Sequence, residues 1–167
     1  MKIFEYTYAR YLKLSNQLTY REKVSAIIVD DYNNFLIDQT LNYGPNDWNF
    51  VGGGVEKGET EEDALIRELW EELGTKKFKI LGKSKSFVAY DVPIETIVRG
   101  LKAGYKYRGQ KARFFLVKFI GKKNEIKIDK KELRQIKWVR RNELGKYLRF
   151  KGQWSEARKI IKELFEK

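Results

Sequence analysis

The sequence predicts an α/β fold in a single domain, and three observations predict it. Short β-branched apolar runs alternate with segments of helical period, the 167 residues carry 42% apolar and 14% aromatic side chains, and no repeat, low-complexity tract or linker divides the chain. A chain of this length buries a sizeable core. No apolar run approaches the roughly 20 residues of a membrane span. The N-terminal MKIFEYTYARYLKL lacks the charged-then-apolar order of a secretory signal, so a cytoplasmic location is expected.

Residues 1–19 form an extension without clear period, although Ile3, Phe4, Tyr6, Tyr8 and Tyr11 give it enough aromatic surface for a packed edge strand. Val24 to Val29 is a β-branched strand, Asp30 to Asn34 a turn, and Phe35-Leu36-Ile37 a returning strand. Gly44 to Asp47 reads as a loop and Trp48 to Val51 as a brief strand leading into glycines. Thr60 is a helix N-cap, with Asp63 at the reach-back position and Glu61 and Glu62 in the first turn. The helix runs from Glu61 to Leu73 and stops at Gly74. Leu65, Leu69, Leu73, Ile66 and Trp70 make its core arc; Glu61, Glu68, Glu71 and Glu72, with Ala64 among them, make the other. Phe78 to Ala89 contains a strand that ends at Asp91-Val92-Pro93, and Ile94 to Leu101 holds a helical turn. Arg113 to Ile120 and Ile136 to Val139 are strands. Helices at Glu143 to Leu148 and Ser155 to Phe165 close the chain, the latter with a stripe of Ala157, Ile160, Ile161, Leu164 and Phe165.

Glu68, Glu71 and Glu72 stand at i, i+3 and i+4, where like charges repel. A solvated acidic helix face is one explanation. Recovery of the repulsion by hard cations, magnesium or manganese, is the other, with the Gly53 carbonyl and the Glu59 carboxylate as further oxygen donors. The charge distribution suits the second. Residues 76–167 hold 28 basic and nine acidic side chains, whereas residues 53–75 hold two and eight, so an acidic site is set in a basic body that attracts polyanions. With no cysteine and no histidine, thiolate zinc sites and cysteine nucleophiles are excluded, and proton transfer falls to carboxylates, lysine, tyrosine or metal-bound water.

The stretch from Gly53 to Thr75, GGVEKGETEEDALIRELWEELGT, resembles the Nudix box: glycine, five residues, Glu59, seven residues, Arg67-Glu68-Leu69, one residue, Glu71-Glu72, one residue, Gly74. Only Thr75 departs, replacing an aliphatic residue. The resemblance implies a hydrolase of diphosphate linkages and an α/β/α sandwich with a mixed sheet between helices. It implies magnesium, with manganese as a second candidate, held by Gly53, Glu68, Glu71 and Glu72. On that resemblance Glu71 or Glu68 is expected to be the catalytic base, supported by Arg67 and Glu59.

Phe87 to Pro93, Tyr107 to Leu116 and Tyr20-Arg21 are similar to signatures shared by diadenosine tetraphosphate hydrolases and RNA 5′-pyrophosphohydrolases, although Val51-Gly52, Tyr107, Ala112 and Phe114 depart from them. That similarity implies Glu132 as a further metal ligand, Arg21, Gln110, Lys111 and Arg113 as substrate contacts, and Tyr90 and Tyr107 as stacking platforms. The leading substrate is a dinucleoside polyphosphate such as diadenosine tetraphosphate; triphosphorylated RNA comes second and nucleoside triphosphate clean-up third. A non-catalytic nucleic-acid-binding module is the competing class. No obligate protein partner and no membrane association are indicated.

Overall fold

A computed structural model describes residues 13–166 apart from residue 15, so the aromatic residues of the N-terminal extension lie outside the described part. Five strands form one mixed sheet in the order β3-β4-β1-β2-β5. They are β1 (Thr19–Val29), β2 (Phe35–Thr40), β3 (Phe78–Asp91), β4 (Tyr107–Phe119) and β5 (Leu133–Val139). β1 and β4 run parallel and the other pairs antiparallel. Helix α1 (Glu61–Leu73) covers one face; α3 (Leu144–Tyr147) and α4 (Gln153–Phe165) cover the other; α2 (Ile94–Lys102) links β3 to β4.

Strand alternation explains the two layers. Val24, Ala26, Ile28, Leu36, Phe115 and Val117 meet Ala64, Leu65, Leu69 and Leu73 of α1, while Ile27, Val29, Phe35 and Ile37 meet Ala157, Ile160, Ile161 and Leu164 of α4. Each fully buried leucine or isoleucine contributes roughly 1.5–3 kcal/mol. The ends of α1 are those expected: the Thr60 hydroxyl accepts the Asp63 N–H at 3.1 Å, and Gly74 takes the left-handed conformation with φ 64°. Asp63 reaches back to the Thr60 hydroxyl, at 2.7 Å.

Four expectations need correction. Ile66 and Trp70 are half exposed, because Ala64 rather than either of them completes the arc that lies on the sheet. The Lys76 ammonium covers the outward Trp70 ring at 5.2 Å. Trp48 to Val51 forms no strand of its own, only one bridge between Asn49 and Asp38. β4 begins at Tyr107, six residues before Arg113, and Ile94–Lys102 is a nine-residue helix rather than a turn.

The departure at Trp48 to Val51 positions the site. β1 and β2 pair directly only at Ile28–Leu36 and Val29–Phe35, then diverge. Residues 49–53 fill the gap: Asn49 exchanges two 2.9 Å bonds with Asp38, while Val51 and Gly53 accept the N–H groups of Ala26 and Val24 at 2.8 and 2.9 Å. The glycine loop is thereby joined to the middle of the sheet, beneath α1.

Candidate active site

Arg67 ties the loop to the helix. Its Nε and Nη2 donate to the two Glu59 oxygens at 2.7 and 3.0 Å, and Nη2 also donates to the Gly54 carbonyl at 2.9 Å. Nη1 donates to Glu68 at 2.8 Å and to Glu71 at 3.2 Å. Glu59 further accepts the Glu56 N–H at 2.9 Å, and with Arg67 this holds its carboxyl down at about 2. Glu59, Glu68 and Glu71 thus share one guanidinium, which relieves the repulsion between Glu68 and Glu71. Among the described residues no three acidic side chains form a ready cation cage.

The helix carboxylates sit at different depths. Glu71 is 54% exposed, Glu68 14%. Glu72 is buried, its Oε2 lacks a partner among the described residues, and burial pushes its carboxyl up to about 8. Burial raises Glu68 as well. The acidic arc is therefore not a uniformly solvated surface: Glu72 is buried and Glu68 partly so, and both carry a desolvation cost.

Glycine is sterically required at position 52, against backbone, and at position 53 it leaves room for the Glu68 carboxylate. A Cβ at Gly53 would meet the Glu68 carboxylate at 2.2 Å; one at Gly52 would lie 2.1 Å from the Val24 carbonyl. The Gly53 carbonyl, although it accepts from Val24, retains a second lone pair.

The candidate substrate residues divide between the two faces of the sheet. Lys111 and Arg113 share the α1 face of β4 and flank Phe87, at 4.2 and 3.4 Å from its ring. Arg113 also bonds the Ser84 and Lys85 carbonyls at 2.9 and 2.7 Å and lies 3.3 Å from Glu61. Gln110 alternates to the other face, where its side chain accepts the Tyr90 hydroxyl. Tyr107 is 40% exposed at the start of β4. The Arg21 guanidinium lies against Gly54 at the mouth of the box loop, with no ion pair among the described residues. Glu132 is exposed, in the turn whose Asp129 N–H bonds the Glu72 carbonyl at 3.0 Å; its side chain joins no carboxylate group there.

Three further residues in this region escaped the sequence reading. Asp38 on β2 is buried, with its carboxyl pushed up to about 7 by burial. Lys23 on β1 places a positive charge within range of Asp38, Glu68 and Glu72. Tyr43, its hydroxyl pKa raised by burial, stands near Tyr90. The available signal was Asp38 itself, an acid interrupting the apolar run Phe35-Leu36-Ile37.

Comparison with known proteins agrees with this geometry. The NUDIX domain model matches residues 19–164. The RNA pyrophosphohydrolase of Orientia tsutsugamushi (strain Boryong) is 32% identical over 135 residues, covering 80% of this chain and 83% of that protein. The RNA pyrophosphohydrolase of a Nitratiruptor species is 39% identical over 110 residues, covering 64% and 66%. Among solved structures, the E. coli dihydroneopterin triphosphate pyrophosphohydrolase superposes with a TM-score of 0.67 at 19% identity, over 89% of this chain and 99% of that one. A C. elegans Ap4A hydrolase binary complex gives 0.59 at 20%, over 82% and 93%.

Proposed function

This chain belongs to the Nudix family and hydrolyses pyrophosphate bonds, and from that premise we propose that its substrate is the 5′ end of triphosphorylated RNA, from which it releases diphosphate. One observation carries the choice: the two RNA pyrophosphohydrolases named above reach 32% and 39% identity over chains of similar extent, whereas the Ap4A hydrolase likeness, at 20%, concerns the fold. This reverses the order of the two substrates read from the sequence. The surplus of basic residues after the box supports RNA, because a polynucleotide offers many phosphates to neutralise. Dinucleoside polyphosphates remain the second reading, because the stretches around Tyr90 and Tyr107 resemble signatures that hydrolases of both substrates share.

The residues present fit a divalent cation. Glu72 offers a buried oxygen without a partner among the described residues, Glu68 a partly buried carboxylate, Glu71 an accessible one, and the Gly53 carbonyl a free lone pair. Magnesium, or manganese, would be held there, with Glu132 as an outer candidate. When bound, such an ion neutralises phosphate charge and makes water more acidic.

The side chains account for the remaining steps. Glu71 stands at the open edge of the site and takes the proton of the attacking water, and Glu68 is the alternative base. Arg67, anchored on Glu59 and Gly54, fixes the orientation of both. Arg21 and Lys111 approach the phosphates from either side of the box loop and stabilise charge on the departing diphosphate. Arg113 aligns the edge of the sheet with the first turn of α1.

The test is product analysis on triphosphorylated RNA and on diadenosine tetraphosphate at physiological salt, with magnesium and with chelator, for the wild type and Glu71→Gln. Magnesium-dependent release of diphosphate, with RNA preferred, supports the reading. Preference for the dinucleotide would overturn the substrate assignment, and unchanged turnover in chelator would overturn the metal.

A further inference from the structure

We propose that Asp38, with Glu72 and Thr40, forms an inner seat for a divalent cation, on the sheet side of α1 and behind the accessible Glu71. The inference rests on the divalent-cation reading of the site given above.

β2 supplies two of the three residues. Leu36 packs in the α1 layer, so alternation turns Asp38 and Thr40 toward the same layer. Their partners across the ladder agree, since Ile136 opposite Asp38 and Leu133 opposite Thr40 both belong to that layer. Glu72 enters from above, on the last turn of α1.

Three oxygens in this layer are buried without a hydrogen-bond partner among the described residues: Asp38 Oδ1, Thr40 Oγ1 and Glu72 Oε2. Asp38 is 1% exposed and Glu72 8%. Unpartnered buried polar atoms are rare in native proteins, and each costs about 1–3 kcal/mol. Two carboxylates and a hydroxyl are acceptors apart from one O–H, which can satisfy a single oxygen at most. With both acids ionised, hydrogen bonding within the group therefore cannot resolve it.

A hard cation can. Oxygen-only donors with carboxylates dominant suit magnesium or manganese, water completing the coordination. Glu72 is among the buried residues of α1, the helix packed on the sheet layer toward which Asp38 and Thr40 turn. Among the described residues Lys23, on β1, forms no ion pair with either acid, and its positive charge offsets part of theirs. A proton held by each acid is the competing account, and the experiment separates the two.

The test counts manganese bound to the metal-free protein by electron paramagnetic resonance, near neutral pH and without substrate. The wild type, Asp38→Asn, Thr40→Val and Glu71→Gln are compared, with Asp38→Ser in reserve should the amide disturb folding. One ion fewer in both Asp38 variants, or one site weakened at least about tenfold, is the expected result. Thr40→Val should weaken the same site, and Glu71→Gln should retain it. An unchanged count and affinity in the Asp38 variants would overturn the proposal and leave Asp38 a protonated buried acid, as would a wild type that binds no manganese. Failure to hydrolyse triphosphorylated RNA with the Asp38-dependent ion present would instead strike the substrate assignment and leave the seat standing.

Discussion

Gly53 lies directly against the Glu68 carboxylate: a Cβ on Gly53 would stand 2.2 Å from Oε1 and 2.5 Å from Oε2. Glycine at this box position is therefore a steric condition on where Glu68 can sit, as well as a source of a carbonyl oxygen. Gly53→Ala should displace the carboxylate and lower kcat about 100-fold, since small misplacements of a catalytic group cost that much. Steady-state kinetics beside a thermal melt checks it; a normal rate would mean that Glu68 can move aside freely.

Asp38 and Glu72 make the metal-free protein sensitive to base. Their carboxyls in the fold reach about 7 and about 8, while the unfolded chain releases both protons near the ordinary carboxylate range. Between those limits the folded state binds more protons, so stability falls as pH rises across the window. Glu59 acts oppositely. Its carboxyl is held at about 2, so its contribution is complete above the ordinary value and is lost as pH falls toward 2. Denaturant titrations in chelator should show a stability maximum at about pH 4. Glu72→Gln should flatten the alkaline decline while abolishing turnover; an active, folded Glu72→Gln protein would remove Glu72 from the metal site.

Lys111 and Arg113 share a strand face but should differ when replaced. Lys111→Ala removes an ammonium that contacts only the Phe87 ring among the described groups, so KM should rise about tenfold with the melting temperature nearly unchanged. Arg113→Met removes the bonds to Ser84 and Lys85 and the pairing with Glu61, so the melting temperature should fall with KM less affected. The reverse pattern would assign Arg113 to substrate.

Thr60→Ala deletes the α1 N-cap and should lower stability by about 1 kcal/mol, measured by urea denaturation. Turnover per folded molecule should hold, because Arg67, anchored on Glu59 and Gly54, fixes the first helical turns independently.

The local parts of this molecule were legible in the sequence. The bounds of α1 follow from Thr60 and Gly74, whose capping chemistry acts within a few residues. Alternation along β4 placed Lys111 and Arg113 together and Phe114 opposite. What the sequence concealed depends on meetings between distant segments. The partner of Arg113 is Glu61, 52 residues away. Trp70 carries a core-type side chain yet faces outward, because Ala64 lets the helix lie lower on the sheet. Asp38 stays hidden because one acid in an apolar run takes its meaning only from Glu72 above it.

The insertion of residues 49–53 between β1 and β2 bears on how the enzyme meets its substrate. With the amides of Val24, Ala26 and Asn49 engaged in cross-strand bonds, the floor of the catalytic centre is rigid masonry and not a flap. Deuterium uptake at those amides should be as slow as in the central strands whether or not nucleotide is bound. Any closing movement during turnover must then come from outside residues 49–53, leaving this stretch of backbone still.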